Sequence, residues 1–181
     1  MTASTSTRAR LAAALAAGAL MVGAPLAGMG TANAAEPVAK KKASVSKTIA
    51  FKCNLPAFGD FNHKGKVTVT AKKAKKSAKA NVTVKMAPMT IAGIPDLGIS
   101  TKLEATATLK FGAKTAKAKG SSTIKVQSSL SVPTLKGKAN VGKKAKKSVV
   151  KITKLDFSVP DFDMKGSCTT TGKNTIGTVK Y

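Results

Sequence analysis

Several residue types that often carry chemistry are scarce in this sequence. Its 181 residues include no tryptophan, one tyrosine, one histidine, two cysteines and seven acidic residues. Arginine occurs only at Arg8 and Arg10, so the other 30 of the 32 basic residues are lysines. Arginine supplies the planar fork that reads guanine edges and clamps carboxylates, which lysine cannot reproduce. The absence of arginine beyond residue 10 therefore disfavours sequence-specific recognition of nucleic acids.

The small number of aromatic residues excludes a second class of binding. Proteins that hold single-stranded nucleic acids stack bases on aromatic rings set among basic residues. Here six phenylalanines and Tyr181 are the only aromatics, and none lies inside a lysine cluster. Non-specific attraction to a polyanion needs charge alone, and the formal net charge of +25 supplies it.

Candidates for catalysis, metal binding and cofactor binding are equally few. His63 is the only imidazole, and its setting, Asn62 to Gly65, predicts a solvated loop. Two cysteines and one histidine lack the spacing of zinc sites. Gly137 and Gly142 fall in a lysine-rich turn without the strand-to-helix context of a phosphate-binding loop. We expect no metal and no cofactor.

Asp161 and Asp163 are the best remaining candidates for an enzyme site. They stand two residues apart around Phe162, so on a strand they would face one side and could act as acid and base of a hydrolase. The alternative is a turn after Pro160 whose carboxylates pair weakly with nearby lysines. The alternative is favoured, and we expect no catalytic residues.

The N-terminus has the three parts of a secretory signal peptide. Arg8 and Arg10 precede an apolar run from Leu11 to Ala24, and Ala32-Asn33-Ala34 forms a small-x-small cleavage signal. The apolar run is shorter than the roughly 20 residues that span a bilayer. The sequence predicts a signal peptide over 1–34, a lysine-rich flexible tail over 35–44 and one domain over 45–181. The protein is expected to be secreted, either extracellular or associated with the cell wall.

Cys53 and Cys168 lie near opposite ends of the predicted domain. In an oxidising compartment two such thiols usually join, so we expect one disulfide. A loop of more than a hundred residues would be closed, which the chain-entropy treatment values at about 4 to 5 kcal/mol.

Apolar residues recur with period two, which is typical of half-buried strands. The alternation runs through 49–55, 67–71, 82–86, 103–111 and 124–132. It changes phase after Ile152, so a bulge is expected near Thr153 or Lys154. Two short strands, 164–170 and 174–180, should flank a turn at 171–173. Seven or eight antiparallel strands predict an all-β fold, either two packed sheets or one sheet closed on itself; an antiparallel β-sandwich, Ig-like or related, is favoured.

Half of the lysines concentrate in four clusters that the strand pattern places between strands or in the tail. One is Lys40 to Lys42, and the others form the predicted polyanion-binding set: Lys72, Lys73, Lys75, Lys76 and Lys79; Lys114, Lys117 and Lys119; Lys143, Lys144, Lys146 and Lys147. Surface lysines commonly keep a protein soluble and protect strand edges. Clustered lysines also bind dense negative arrays, such as anionic wall polymers. Both interpretations stay open.

Strand parity decides whether these clusters can act together. In a simple meander the first and second clusters share an end if 86–99 is a plain connection. If Met89 to Ala92 forms an additional strand, they separate. The sequence leaves this point open.

One short motif resembles a known group. Phe51-Lys52-Cys53-Asn54-Leu55-Pro56, together with the distant Cys168, resembles exported actinobacterial proteins that carry an uncharacterised β-domain. The resemblance implies a disulfide-linked β-sandwich and brings no activity or cofactor with it. The high lysine content departs from what is expected of that group.

Overall fold

The computed structural model describes residues 43–181, and most of them lie in β-strands. The predicted signal peptide, 1–34, and Lys40 to Lys42 lie outside the described residues. The first strand begins at Ala43, two residues before the predicted domain boundary. The all-β class expected from period-two alternation is confirmed. No helix within 43–181 is long and apolar enough to cross a membrane.

Eleven strands and one short 3₁₀ turn make up this region. In chain order they are β1 Ala43–Leu55, β2 Gly59–Lys73, β3 Lys79–Met86, β4 Met89–Thr90, β5 Ser100–Phe111, β6 Lys114–Lys125, β7 Ser129–Leu130, β8 Leu135–Asn140, β9 Lys147–Val159, the 3₁₀ turn Pro160–Phe162, β10 Met164–Thr170 and β11 Thr175–Lys180.

Nine of the strands form one large antiparallel sheet, and its pairing closes into a ring. Around the ring the order is β1, β2, β3, β8, β6, β5, β9 and β10, and β10 pairs again with β1. The long β9 pairs with both β10 and β11 on its second edge. The short strands β4 and β7 pair only with each other. Whether the ring flattens into the two packed sheets expected from the sequence stays a prediction.

Two ladders in the ring are much shorter than the others. The β6–β8 ladder has two residue pairs and the β1–β10 ladder has four. Glycines lie at the β6–β8 ladder. A Cβ on Gly137 would collide with the Lys117 carbonyl, and a Cβ on Gly120 would collide with the Thr134 carbonyl. Only a residue without a side chain permits so close a backbone approach.

The disulfide lies in the other short ladder. Cys53 on β1 and Cys168 on β10 are directly opposed, with their Cα atoms 3.9 Å apart and both side chains fully buried. The predicted bond is thus confirmed, and it joins the two strands that close the ring. It lies in the core, which contains the inward side chains of the alternating strands.

The strand positions confirm several predictions and correct others. β10 and β11 appear where they were expected, and Thr153 is the extra residue in β9, because Thr108 pairs with Lys154 and Leu109 with Ile152. The row 124–132 is wrong as a single strand, since it is split between the end of β6 and β7. β6 and β8 were missed because their outward lysines and small inward residues give weak hydrophobic alternation. With β4 as a further short strand and the 124–132 row divided between β6 and β7, the count rises from the expected seven or eight strands to eleven.

Candidate polyanion-binding surface

The ring has two ends that differ in their connections. β2 enters the β2–β3 turn (74–78) at the end where β1 begins, and register places the β5–β6 turn (112–113) and the β8–β9 loop (141–146) at this same end. We call it the lysine end. The opposite end carries the β1–β2 turn, the 3₁₀ turn and the connections that contain β4 and β7.

All three lysine clusters reach the lysine end. Lys75 and Lys76 lie in the β2–β3 turn, and Lys114 begins β6. Lys143, Lys144 and Lys146 lie in the β8–β9 loop. The strand at Met89 exists, but it pairs only with β7 and leaves the parity of the ring strands unchanged. The geometric question that the sequence left open is thereby answered: the clusters share an end.

The β8–β9 loop crosses this end and is bonded on both sides. The amides of Val141 and Gly142 donate to the Ala78 carbonyl of the β2–β3 turn. On the far side, the Tyr181 amide donates to the Lys146 carbonyl. Six loop residues therefore connect the first lysine cluster with the edge formed by β9 and β11.

Lys73 contributes to the structure of this end as well as to its charge. Its ammonium donates to the Lys143 carbonyl at 2.6 Å and to the Ala145 carbonyl at 3.0 Å, and it lies 5.8 Å from the centre of the Tyr181 ring. Burial raises the pKa of the Tyr181 hydroxyl. Although the sequence assigned Lys73 to the polyanion-binding set, its ammonium is already engaged within the protein.

The sequence placed the second lysine cluster in a connection between strands, but the structure places it within a strand. Lys114, Lys117 and Lys119 belong to β6, and the last two are exposed on its outer face. Lys117 and Lys119 carry positive charge down the side of the ring, where Lys119 pairs with Thr106 in the row that also contains Asp156. Their position follows from the Ala116 and Ala118 side chains, which alternate with them and are buried.

The sequence missed two further lysines that belong to this surface. Lys136 and Lys138 are exposed on β8, and Lys136 stands directly opposite Lys119 in the β6–β8 ladder. The signal that could have found them is the alternation Leu135, Lys136, Gly137, Lys138, Ala139, which places lysine outward at every second residue.

Acidic residues occupy the other half of the ring. All six within 43–181 lie toward the end opposite the lysine end: Asp60, Asp96, Glu104, Asp156, Asp161 and Asp163. Four form ion pairs with lysines, namely Lys52–Asp60, Lys102–Glu104, Lys154–Asp156 and Lys165–Asp163. Among residues 43–181, the lysine end therefore has no carboxylate side chain nearby to neutralise it, while the opposite half is partly neutralised.

Asp161 and Asp163 are not strand neighbours. Asp161 lies in the 3₁₀ turn, where it accepts hydrogen bonds from the Thr101 hydroxyl (2.7 Å) and the Lys102 amide (3.3 Å). The Thr101 and Lys102 donors lower the pKa of the Asp161 carboxyl. Asp163 ends the turn in a left-handed conformation and its side chain is 92% exposed. The expected turn is confirmed, and the arrangement that a paired-aspartate hydrolase would need on one strand face is absent from this segment.

His63 contradicts its prediction. It lies inside β2 with only 8% exposure, stacked on the Phe51 ring at 6.1 Å between centroids. Its Nε2 has no hydrogen-bond partner, and burial lowers the pKa of the imidazole. The solvated loop was expected because Asn62 and Gly65 resemble turn residues. Gly65 instead gives room to the imidazole, since a Cβ there would collide with Nε2.

Within 43–181 no group of three or more His, Cys, Asp or Glu side chains could hold a metal ion. No protein-family model, curated protein or solved structure matches this chain.

Proposed function

We propose that this protein is an exported, non-enzymatic β-module that contacts anionic polymers of the cell envelope or extracellular space. The observation that carries the proposal is the meeting of three lysine clusters at one end of the ring. Lysines spread for solubility alone have no reason to gather there while every carboxylate side chain of 43–181 lies in the other half. A dense cationic surface displaces counterions from a polyanion, and this supplies the binding free energy.

The direct opposition of Lys119 and Lys136 further supports this proposal. Like charges facing each other across a ladder destabilise a sheet. The pair lies in a ladder of only two residue pairs. A bound polyanion would relieve this repulsion, so ligand binding would stabilise the folded state.

Export is proposed from the signal-like segment at 1–34 and is consistent with the disulfide. Relationship to exported actinobacterial proteins that carry an uncharacterised β-domain is also part of this proposal, and the motif around Cys53 supports it. We also propose that the ring consists of two four-stranded layers, β1-β2-β3-β8 and β6-β5-β9-β10, because its two short ladders separate these groups. An Ig-like relationship remains a hypothesis within that arrangement.

The rival function is a structural or protein-interaction module whose charge serves only solubility. Purified cell walls distinguish the two functions. The protein would be bound to walls before and after extraction of their phosphate polymers, and then eluted with rising salt. We expect salt to release it and phosphate extraction to abolish retention. Retention that persists at high salt and ignores phosphate would contradict polyanion binding.

The hydrolase using Asp161 and Asp163 is a distant third possibility. The double change Asp161→Asn and Asp163→Asn, assayed on wall sugars, tests it. We expect no turnover by either protein. Turnover by the wild type that the double variant loses would overturn the non-enzymatic assignment.

A further inference from the structure

A groove lies on the outer face of the sheet, in the half away from the lysine end. It has a volume of about 430 Å³, and its lining comes from β1, β5, β9 and β10. Seven of its nine lining residues are polar, and the other two are Phe157 and Gly166; the polar residues are Asn54, Glu104, Thr106, Asp156, Ser158, Lys165 and Ser167. Its size falls in the range of small-ligand sites.

Register explains why the surface is concave here. Ser158 on β9 lies between Glu104 on β5 and Lys165 on β10. In the next row, Ser167 lies between Asn54 and Asp156. Each row therefore has a short hydroxyl in the middle and longer polar side chains on both sides, which produces a trough with a serine floor.

The floor and wall of the trough contain hydroxyl groups that are available for hydrogen bonds. Thr106, Ser158 and Ser167 are half-buried residues, and within 43–181 none of their hydroxyls forms a hydrogen bond with another group. Each hydroxyl can donate one hydrogen bond and accept two. Such groups suit a ligand that presents both donors and acceptors.

The charges of the groove are balanced by the protein itself. Lys102 contacts Glu104 at 2.6 Å and Lys154 contacts Asp156 at 2.7 Å, while Lys165 lies 3.7 Å from Asp163. A cationic ligand would have to displace these lysines, and an anionic ligand would meet two carboxylates. A neutral ligand meets neither obstacle.

The groove continues across β1. A smaller hollow of about 150 Å³ shares Asn54 and Ser167 with it and adds Lys52, Asp60 and Thr169. The Asn54 amide donates to the Asp60 carboxylate at 2.7 Å. The polar strip thus crosses β2, β1, β10, β9 and β5, a width of roughly 19 Å at ordinary strand spacing, which is long enough for several units of a linear chain.

We infer that this groove binds a neutral, hydroxyl-rich chain, that is, a short segment of an uncharged glycan. Carboxylate, amide and hydroxyl groups together can hydrogen-bond the hydroxyls of such a ligand from both sides. The site is separate from the lysine end, and it would bind its ligand without the salt dependence expected there.

Nuclear magnetic resonance of the ¹⁵N-labelled chain tests the inference. The probes are neutral tetrasaccharides with glucose, mannose, galactose and N-acetylglucosamine backbones, with polyphosphate as the anionic comparison. At least one neutral probe should shift the amides of Asn54, Ser158, Gly166 and Ser167, equally at low and high salt. Polyphosphate should leave these amides unchanged, whatever it does at the lysine end.

Two variants and one control locate the binding. Ser158→Leu and Ser167→Leu fill the floor from the outer face, and each should weaken binding of the neutral probe at least about tenfold. Ser46→Leu is the matched control, since Ser46 is an exposed outward serine of β1 outside the groove. It should bind as the wild type does. Failure of every neutral probe to shift the groove, or equal loss in all three variants, would overturn the inference and leave the lysine-end proposal untouched.

Discussion

Lys119 on β6 and Lys136 on β8 face each other directly in the shortest ladder of the ring. Two ammonium groups in this position repel each other, so the ladder carries an electrostatic cost. The same pair adds to the positive surface that extends from the lysine end. Folding and polyanion binding therefore place opposite demands on these two residues.

Replacing Lys136 by glutamate tests this conflict. Lys136→Glu should raise the free energy of unfolding by about 0.5 to 1 kcal/mol, because it turns a repulsive cross-strand pair into an attractive one. It should also weaken polyphosphate binding. Urea unfolding and a binding titration measure the two effects.

Lys138→Glu is the control, since Lys138 faces Asn81 across the β3–β8 ladder. The control should lose a similar amount of affinity with a smaller gain in stability. Equal gains in stability would show that general charge reduction, rather than this pair, is responsible.

Removing the Lys73 ammonium should free the β8–β9 loop. Lys73→Met keeps most of the aliphatic stem and loses both hydrogen bonds to the Lys143 and Ala145 carbonyls. We expect the free energy of unfolding to fall by about 1 kcal/mol and the amides of 141–146 to exchange hydrogen faster. Lys75→Met removes an exposed charge from the neighbouring β2–β3 turn and should leave the exchange rates unchanged. Unaltered exchange in Lys73→Met would contradict a positioning role for Lys73.

The disulfide should contribute strongly to closure of the ring. The double variant Cys53→Ala and Cys168→Ala removes the only covalent link across the β1–β10 ladder. Its free energy of unfolding should fall by about 2 to 5 kcal/mol, as measured by urea unfolding under non-reducing conditions. Reducing agent should lower the stability of the wild type and not that of the variant. An unchanged unfolding midpoint would mean that hydrogen bonds alone hold this ladder.

His63 should make stability depend on pH. Burial lowers the pKa of its imidazole below the ordinary value of 6.5, so the unfolded chain binds the proton more readily than the folded chain. The free energy of unfolding is therefore not reduced by His63 above about pH 6.5, and it falls as the pH drops from there toward the lowered pKa. Unfolding in urea at a series of pH values measures this slope. His63→Leu should flatten the slope between these limits, and an identical slope in the variant would exclude His63 as its source.

The predictable parts of the fold are those with strong hydrophobic alternation. The bulge at Thr153 followed from a change of phase that only an extra residue could repair, and β10 was bounded by clear turn residues. β6 and β8 were not predicted because alanine and glycine occupy most of their inward positions, where they support close packing but add little hydrophobic contrast. The sequence left open whether one sheet closes on itself, since no local pattern shows that β10 has two partner strands.

The lysine surface was predictable in composition and unpredictable in arrangement. Counting identified the clusters, but their meeting at one end depends on β4 pairing outside the main sheet, which is a tertiary feature. Lys73 illustrates the same limit, because its two carbonyl partners are about 70 residues further along the chain. His63 was misplaced because turn-like neighbours concealed its inward position on β2.

Two variants of equal charge test whether the lysine end binds polyanions. One replaces four lysines of the lysine end with glutamine: Lys75, Lys76, Lys143 and Lys144. The other replaces four exposed lysines elsewhere: Lys64, Lys85, Lys125 and Lys165. The measurement is the slope of log affinity for polyphosphate against log salt concentration. We predict a shallow slope and weak binding for the first variant and near wild-type behaviour for the second. Equal loss in both would contradict a localised binding surface and support a role for the charge in solubility alone.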